Sequence, residues 1–351
     1  MNEPLSPQEI QATRSLPHRW WVPVVRVSTA LLLTLAAAWG LLLWLTWTPG
    51  TSWRGPPAPL TGEQHESLQR LQRHIHALAV DIGPRHIGAP SSMRRAEEFI
   101  GEQLRADGYD VQLLPVPSSR GVTHNIQAQL IGSDLPDQII VVGAHYDTVS
   151  TTPGADDNAT GVAAVLEIAH LMRSSSPRRT VRFVLFTHEE PPYFRSDGMG
   201  SAVYAREARR EREQIVAMYS LEMLGYFSEQ PDSQTLPPPL HLVFPTTGNF
   251  VAFISLSESQ HLVHESVGLF REHARIASEA LSAPAWVTGV DFSDHASFIE
   301  QGYDAVMVTD TAFMRNANYH RATDTADTLQ YPYLTHATLG MRSVVEALAD
   351  K

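Results

Sequence analysis

The side chains able to do chemistry fall in short clusters: His145-Tyr146-Asp147, Asp156-Asp157-Asn158, His188-Glu189-Glu190, Glu222, Asp310 and His320. Most follow directly on a short apolar run. QIIVVGA (138–144) precedes His145, VRFVLFT (181–187) precedes His188, IVAMYSL (215–221) precedes Glu222, and AVMVT (305–309) precedes Asp310, with His320 ten residues later. Taken singly, each has a plain structural explanation. A His-x-Asp pair is usually a surface hydrogen bond, Asp-Asp-Asn before a helix an N-cap, and two adjacent Glu a solvated turn. Taken together they share one topological position, because ligands of α/β sheets bind beyond the carboxyl ends of the strands. Two His and at least three carboxylates with no basic residue among them would repel strongly without a cation. They suit one or two divalent ions, and their nitrogen and oxygen donors suit zinc, with Mn or Co tolerated. Asn158-Ala159-Thr160 also matches a glycosylation sequon, a reading set aside because it lies inside the candidate site.

The elements that must position these groups are visible as changes of hydrophobic period. Ser91 and Ser92 are placed to cap a helix with Met93, Ala96, Ile100 and Leu104 on one face, ended by Gly108. Val162, Val165, Leu166, Ala169 and Met172 mark a second amphipathic helix, whose dipole favours ionised Asp156 and Asp157 at its start. A last helix begins near Pro332, with Leu334, Ala337, Met341, Val345 and Leu348 on one face. Strands alternating with helices predict an α/β fold. It is expected as a single globular domain over 63–351, with a mixed, mostly parallel central sheet flanked by helices. The Pro-rich stretch 229–262 reads as a lid or a long connection, and Phe292, Phe313 and Met314 are candidates for pocket walls.

Composition narrows the function classes. With 43% apolar and 18% charged residues in 351, the chain can bury a sizeable core. Acidic side chains outnumber basic ones 38 to 26, for a formal charge of −12, which argues against nucleic-acid binding. The absence of Cys excludes disulfides, iron–sulfur clusters, thiol nucleophiles and cysteine-ligated zinc.

The N-terminus is a different material. No charged residue occurs between Arg26 and Arg54, and residues 27–47 read VSTALLLTLAAAWGLLLWLTW, enough to span about 30 Å as a helix. Trp20, Trp21, Trp44 and Trp47 suit the two membrane interfaces. Arg14, Arg19 and Arg26 precede the span, so 1–26 is expected in the cytoplasm and the remainder on the periplasmic or extracellular side. A cleaved signal peptide, with small residues at Ala36–Ala38, is the competing reading. The apolar run continues nine residues beyond Ala38, which favours an uncleaved signal-anchor helix over 27–47. Residues 48–62 (TPGTSWRGPPAPLTG) read as a Pro/Gly-rich linker.

His145-Tyr146-Asp147, PGADDNATG from Pro153, FTHEEPPYF from Phe186, SLEMLGY from Ser220, SDHASF from Ser293 and YHRATDTADT from Tyr319 occur in this order. Together they resemble the zinc-dependent aminopeptidases typified by bacterial leucyl aminopeptidases. The wider superfamily includes glutamate carboxypeptidases, glutaminyl cyclases and the transferrin-receptor ectodomain. The resemblance, over about residues 70 to 350, implies a zinc exopeptidase acting on peptides with a free N-terminus. It makes His145 a ligand of a first zinc, with Asp147 behind it orienting the imidazole. Asp157 resembles the carboxylate bridging two ions, with Asp156 as the runner-up. Glu189 resembles the general base, and Glu190 and His320 ligands of the second zinc. Glu222 stands where many members have Asp, with a longer arm that can still coordinate. Asp294 resembles a buried carboxylate in the family's hydrogen-bond network. The alternatives are a glutaminyl-cyclase-like acyltransferase with a single zinc, or an inactive binding ectodomain.

Overall fold

The computed structural model describes residues 21–351, so Arg14, Arg19 and Trp20 of the expected cytoplasmic segment lie outside the described residues. The chain divides into two compact units, Met1–Leu45 and Thr46–Lys351. The first carries helix α1 (Trp21–Thr46), which starts before the expected span because Pro23 is tolerated in a first helical turn. Its stretch Val22–Leu43 is long and apolar enough to cross a membrane, and none of it is buried against protein.

In the second unit, Thr48, Pro49 and Ser52 at the start of the 48–62 stretch are held by hydrogen bonds. Arg271 donates to Thr48 Oγ1 at 2.8 Å and to the Pro49 carbonyl at 2.7 Å, and the Ser278 amide donates to Ser52 Oγ at 2.9 Å. Helix α2 (Gly62–Ile75) begins at a capping box in which Thr61 and Gln64 exchange side-chain and backbone hydrogen bonds. In α3 (Pro90–Ala106) the expected cap is corrected. Ala89 is the N-cap, and Ser91 and Ser92 lie inside the helix, because Pro90 opens it with a preset φ and no N–H to satisfy. The expected face of Met93, Ala96, Ile100 and Leu104 is buried.

Eight strands follow: β1 (Gln112–Ser118), β2 (Gly121–Leu130), β3 (Leu135–His145), β4 (Arg179–Phe186), β5 (Gln214–Glu222), β6 (Phe250–Leu256), β7 (Ala277–Ala283) and β8 (Ala305–Thr309). They form one mixed sheet in the order β1-β2-β4-β3-β5-β8-β6-β7. The inner strands β4, β3, β5 and β8 run parallel, so their carboxyl ends lie on one edge. Strands β1, β2 and β6 join antiparallel to their inner neighbours, and β7 runs parallel to β6.

The remaining helices are α4 (Gly161–Met172), α5 (Gly200–Glu211), α6 (Gln260–His273), α7 (His295–Glu300) and α8 (Tyr331–Ala349). Alternation along β3 sends Ile140, Val142 and Ala144 into the larger core, with residues of α2, α3, α4, α6 and α8. Ile139 and Val141 point to the smaller core, under α5 and α7. Each fully buried aliphatic side chain of this kind contributes about 2 kcal/mol. Helix α4 departs from the amphipathic expectation, since residues Gly161 to Ala169 are all buried. Its one acid, Glu167, is matched by a two-pronged Arg70 at 2.8 Å on both oxygens. The stretch 229–262 is also more regular than expected, because its second half holds β6 and the start of α6.

Candidate metal centre

The parallel strands deliver the polar clusters to one place. His145 is the last residue of β3, Glu222 the last of β5, and Glu189 and Glu190 follow β4 by three and four residues. Asp157 arrives on the turn before α4, and this turn is sterically fixed. Gly154 has φ +62°, and a Cβ there would lie 2.4 Å from the Asp157 carbonyl oxygen. At Gly161 a Cβ would lie 2.2 Å from the Leu221 carbonyl oxygen, so the start of α4 presses directly against β5. Asn158 stitches the two together: its Nδ2 donates to Leu221 O, and its Oδ1 accepts from the Gly161 and Met223 amides. It is wholly buried, which disposes of the sequon reading.

Two sets of donor atoms result. Those of His145, Asp157 and Glu222 lie within 4.8 Å of one another, and so do those of Asp157, Glu190 and His320. Asp157 belongs to both sets, its Oδ1 lying 3.5 Å from His145 Nε2 and its Oδ2 3.2 Å from His320 Nε2. Asp156, the alternative left open by the sequence, belongs to neither. It is turned away, accepting from the Gly225 amide and from Asn316 Nδ2. Asp324 fixes this choice of direction by accepting the amides of both Asp156 and Asp157. Asp310 is likewise occupied elsewhere, accepting the amides of Tyr226 and Ala312.

Asp147 sits behind His145, and its backbone carbonyl lies nearer the imidazole than its carboxylate does. His145 Nδ1 lies 3.1 Å from the Asp147 carbonyl oxygen and 3.7 Å from its carboxylate. The carboxylate instead accepts the amides of Glu189 and Glu190, tying their loop to β3. Glu222 Oε1 lies 3.3 Å from His145 Nε2, and its Oε2 accepts from Ser293 Oγ at 2.7 Å. Asp294 is wholly buried, yet neither of its carboxylate oxygens accepts a hydrogen bond.

The electrostatics ask for a cation. Asp157, Glu189, Glu190 and Glu222 are all buried, and among the described residues no Lys or Arg forms an ion pair with any of them. Glu190 Oε1 is buried with no hydrogen-bond partner. Burial, with Glu190 adding and His320 opposing, pushes the Asp157 carboxyl up to about 6. Burial also holds Glu189 well above the usual carboxylate range, His145 opposing and Glu222 adding. The histidines are raised as well, but in their case this favours the charged form. Burial disfavours the His320 imidazolium, but Asp157 and Glu190 carry it up to about 10. His145 is also raised despite burial, chiefly by Glu222 and Glu189. Divalent ions would satisfy the same oxygens and nitrogens, and the donor types fit zinc without rearrangement of the chain.

An apolar pocket of about 870 Å³ of interatomic space, open to solvent, adjoins the centre. Glu222 and Tyr319 line its near end, and Phe292, Phe313 and Met314 are all in its wall. Their rings form a chain, Phe292 to Phe313 at 6.1 Å and Phe313 to Tyr319 at 5.9 Å. Leu236, Leu240 and Phe244 close one side, so the irregular part of 229–262 is pocket wall.

A sequence model of peptidase family M28 matches residues 125–345, the span that holds every one of these donors. The chain belongs to family M28. Membership supports peptidase activity and implies zinc. The uncharacterized protein YfbL of Escherichia coli K12 is 35% identical over 287 residues, covering 79% of this chain and 87% of that protein. The zinc aminopeptidase BSAP of Bacillus subtilis superposes with a TM-score of 0.64, at 16% identity, over 81% of this chain and 95% of that one. The Bacteroides thetaiotaomicron glutaminyl cyclase bound to N-acetylhistamine does so with a TM-score of 0.59, at 16% identity, over 80% and 97%. These structural likenesses show the fold and are shared by aminopeptidase and cyclase.

Some parts of this M28 site carried no sequence signal of their own. Arg85, Asp324, Ser293 and Asn316 lie in loops without periodicity, and each meets at least one partner 60 or more residues away; Ser293 did lie within the SDHASF motif. Asp324 did lie within the YHRATDTADT motif.

Proposed function

We propose that this M28 member is a membrane-anchored metalloaminopeptidase that hydrolyses the N-terminal peptide bond of peptides. The observation that carries the reading is Asp157, shared between two donor sets, with Glu189 beside them and in neither. His145, Asp157 and Glu222 would hold one zinc, and Asp157, Glu190 and His320 a second. Bound there, zinc supplies Lewis acidity and lowers the pKa of water toward neutrality. Glu189, whose Oε2 is 3.9 Å from His145 Nε2, takes the proton of the attacking water and passes it to the leaving amine. Asp147 positions that base through the Glu189 amide and steadies His145 through its own carbonyl. The free amine of the substrate is a cation and suits the carboxylate-rich end of the pocket.

The test uses the full-length protein in detergent, loaded with zinc, on a panel of aminoacyl p-nitroanilides and their N-acetylated counterparts. Only the free-amine substrates should be cleaved. No cleavage, or equal cleavage of acetylated substrates, overturns the exopeptidase reading. Cyclisation of N-terminal glutamine without hydrolysis would reassign the site to the cyclase branch.

Helix α1 is proposed as an uncleaved anchor with the M28 unit on the periplasmic or extracellular side. Its 22-residue apolar stretch supports this. The protein should stay in the membrane pellet after carbonate extraction at full-length mass. Release into the supernatant, or a mass lacking the first ~38 residues, would favour the cleaved signal instead.

A further inference from the structure

The apolar pocket ends on a carboxylate. Glu279 of β7 lines it, and the sheet register places that residue in one row with the metal centre: Glu222 pairs with Thr309, Thr309 with Ala252, and Ala252 with Glu279. Three strand spacings separate the two acids, roughly 14 Å between their Cα atoms. Ala252, Ile254, Leu281 and Met307 line the space between, all apolar. Among the described residues the Glu279 side chain makes no hydrogen bond and no ion pair. Burial pushes its carboxyl up, with Arg271 opposing. Arg271 does not serve as its partner, because the guanidinium is engaged with Ser278, Thr48 and Pro49.

Glu279 is half-buried, so solvent in the pocket reaches its carboxylate, and a ligand cation entering there would replace that water with a charge-assisted hydrogen bond beside an apolar wall. We propose that Glu279 is a specificity determinant that receives the charged end of an N-terminal Lys or Arg side chain. The dimensions agree. Both acids stand off the same face of the sheet, so an extended lysine stem of roughly 6 Å and an ion-pair contact of roughly 3 Å lie along the row and leave roughly 5 Å for the substrate main chain at the Glu222 end. The stem would lie along the aliphatic wall with only its head paired, as lysine and arginine side chains do elsewhere. This rests on the aminopeptidase reading above, and its test is arranged so that the two fail separately.

The zinc-loaded full-length protein and its Glu279→Gln variant are compared on lysyl, arginyl, norleucyl and leucyl p-nitroanilides. Norleucine is the uncharged match for the lysine stem. The unmodified protein should favour lysyl over norleucyl substrate by about tenfold or more in kcat/KM. Glu279→Gln should lower lysyl and arginyl kcat/KM by about tenfold or more and leave norleucyl within about threefold, which also shows the variant is folded. An unchanged lysyl-to-norleucyl ratio overturns the proposal while leaving the aminopeptidase standing. If no substrate is cleaved, the aminopeptidase reading fails, and calorimetry with L-lysinamide decides the subsite on its own. A tenfold loss of affinity in Glu279→Gln then supports it, and equal affinity overturns it.

Discussion

Glu189→Gln is expected to lower kcat by about 10³-fold, roughly 4 kcal/mol of barrier, while the protein keeps its zinc. The separation follows from where the side chain sits. Glu189 is outside both donor sets, so its loss removes no ligand. Its backbone amide is held by Asp147, and the substitution is isosteric, so the loop stays in place. What disappears is an oxygen able to take a proton from water. KM should therefore change little, the mark of an interaction made chiefly in the transition state. Glu190→Ala provides the contrast, because Glu190 is in a donor set with Asp157 and His320. That variant should lose zinc as well as activity. Turnover assays paired with elemental analysis distinguish the two. Normal turnover in Glu189→Gln would remove it as the base, and loss of zinc would make it a ligand instead.

How far the sequence reaches is set by which elements carry their own signal. The inner strands β3, β4, β5 and β8 are apolar runs ending in acids and histidines, and both features survive without knowledge of neighbours. The outer strands do not work this way. Strand β1 contains Pro115 and Pro117, which usually argue against a strand, and it is tolerated as an edge strand paired on one side only. Strand β7 (ASEALSA) is an edge of small residues whose only strong character is Glu279. Helix α4 reads as amphipathic because apolar residues can be found on one face, but its other face is buried too. At the site, the donor residue types were legible, and the preference for Asp157 over Asp156 rested on the resemblance, with no local pattern to explain it. That choice is made by Asp324, Gly225 and Asn316, which meet the turn only in the folded chain. Burial, which no local pattern records, raises the Asp157 carboxyl in the folded chain.

Arg85 is the largest structural debt of this kind, and its replacement should cost more stability than that of any metal ligand. The side chain is wholly buried, yet it faces carbonyls rather than a carboxylate. Its Nε donates to Tyr146 O, its Nη1 to Leu78 O, Gly83 O and Pro153 O, and its Nη2 to Gly154 O. Burial lowers its pKa to about 10, with Asp324, Asp147 and Asp157 opposing, so it remains charged at neutral pH. One guanidinium thus ties the end of the α2 region to the strand end after His145 and to the turn that presents Asp157. Arg85→Met removes five hydrogen bonds and leaves the carbonyls of Tyr146, Gly83 and Pro153 without a partner, since Leu78 O and Gly154 O keep the Gly83 and Ala159 amides, and it is expected to destabilise the protein by roughly 3 to 5 kcal/mol. Arg85→Lys keeps the charge and loses the planar fork, so it should retain the fold with a loss of about 2 to 3 kcal/mol. In that variant the Asp157 turn is no longer clamped at Pro153 and Gly154. Zinc affinity should then fall by about tenfold, as for other groups that orient ligands without touching the ion. Once zinc is saturating, kcat should return to near the unmodified value, because Glu189 and Asp147 are untouched. Denaturation midpoints, zinc titration and kcat at saturating zinc read the three effects separately. A kcat that stays low at full zinc occupancy would place Arg85 in the chemistry itself, and unchanged zinc affinity would show that the clamp serves the fold alone.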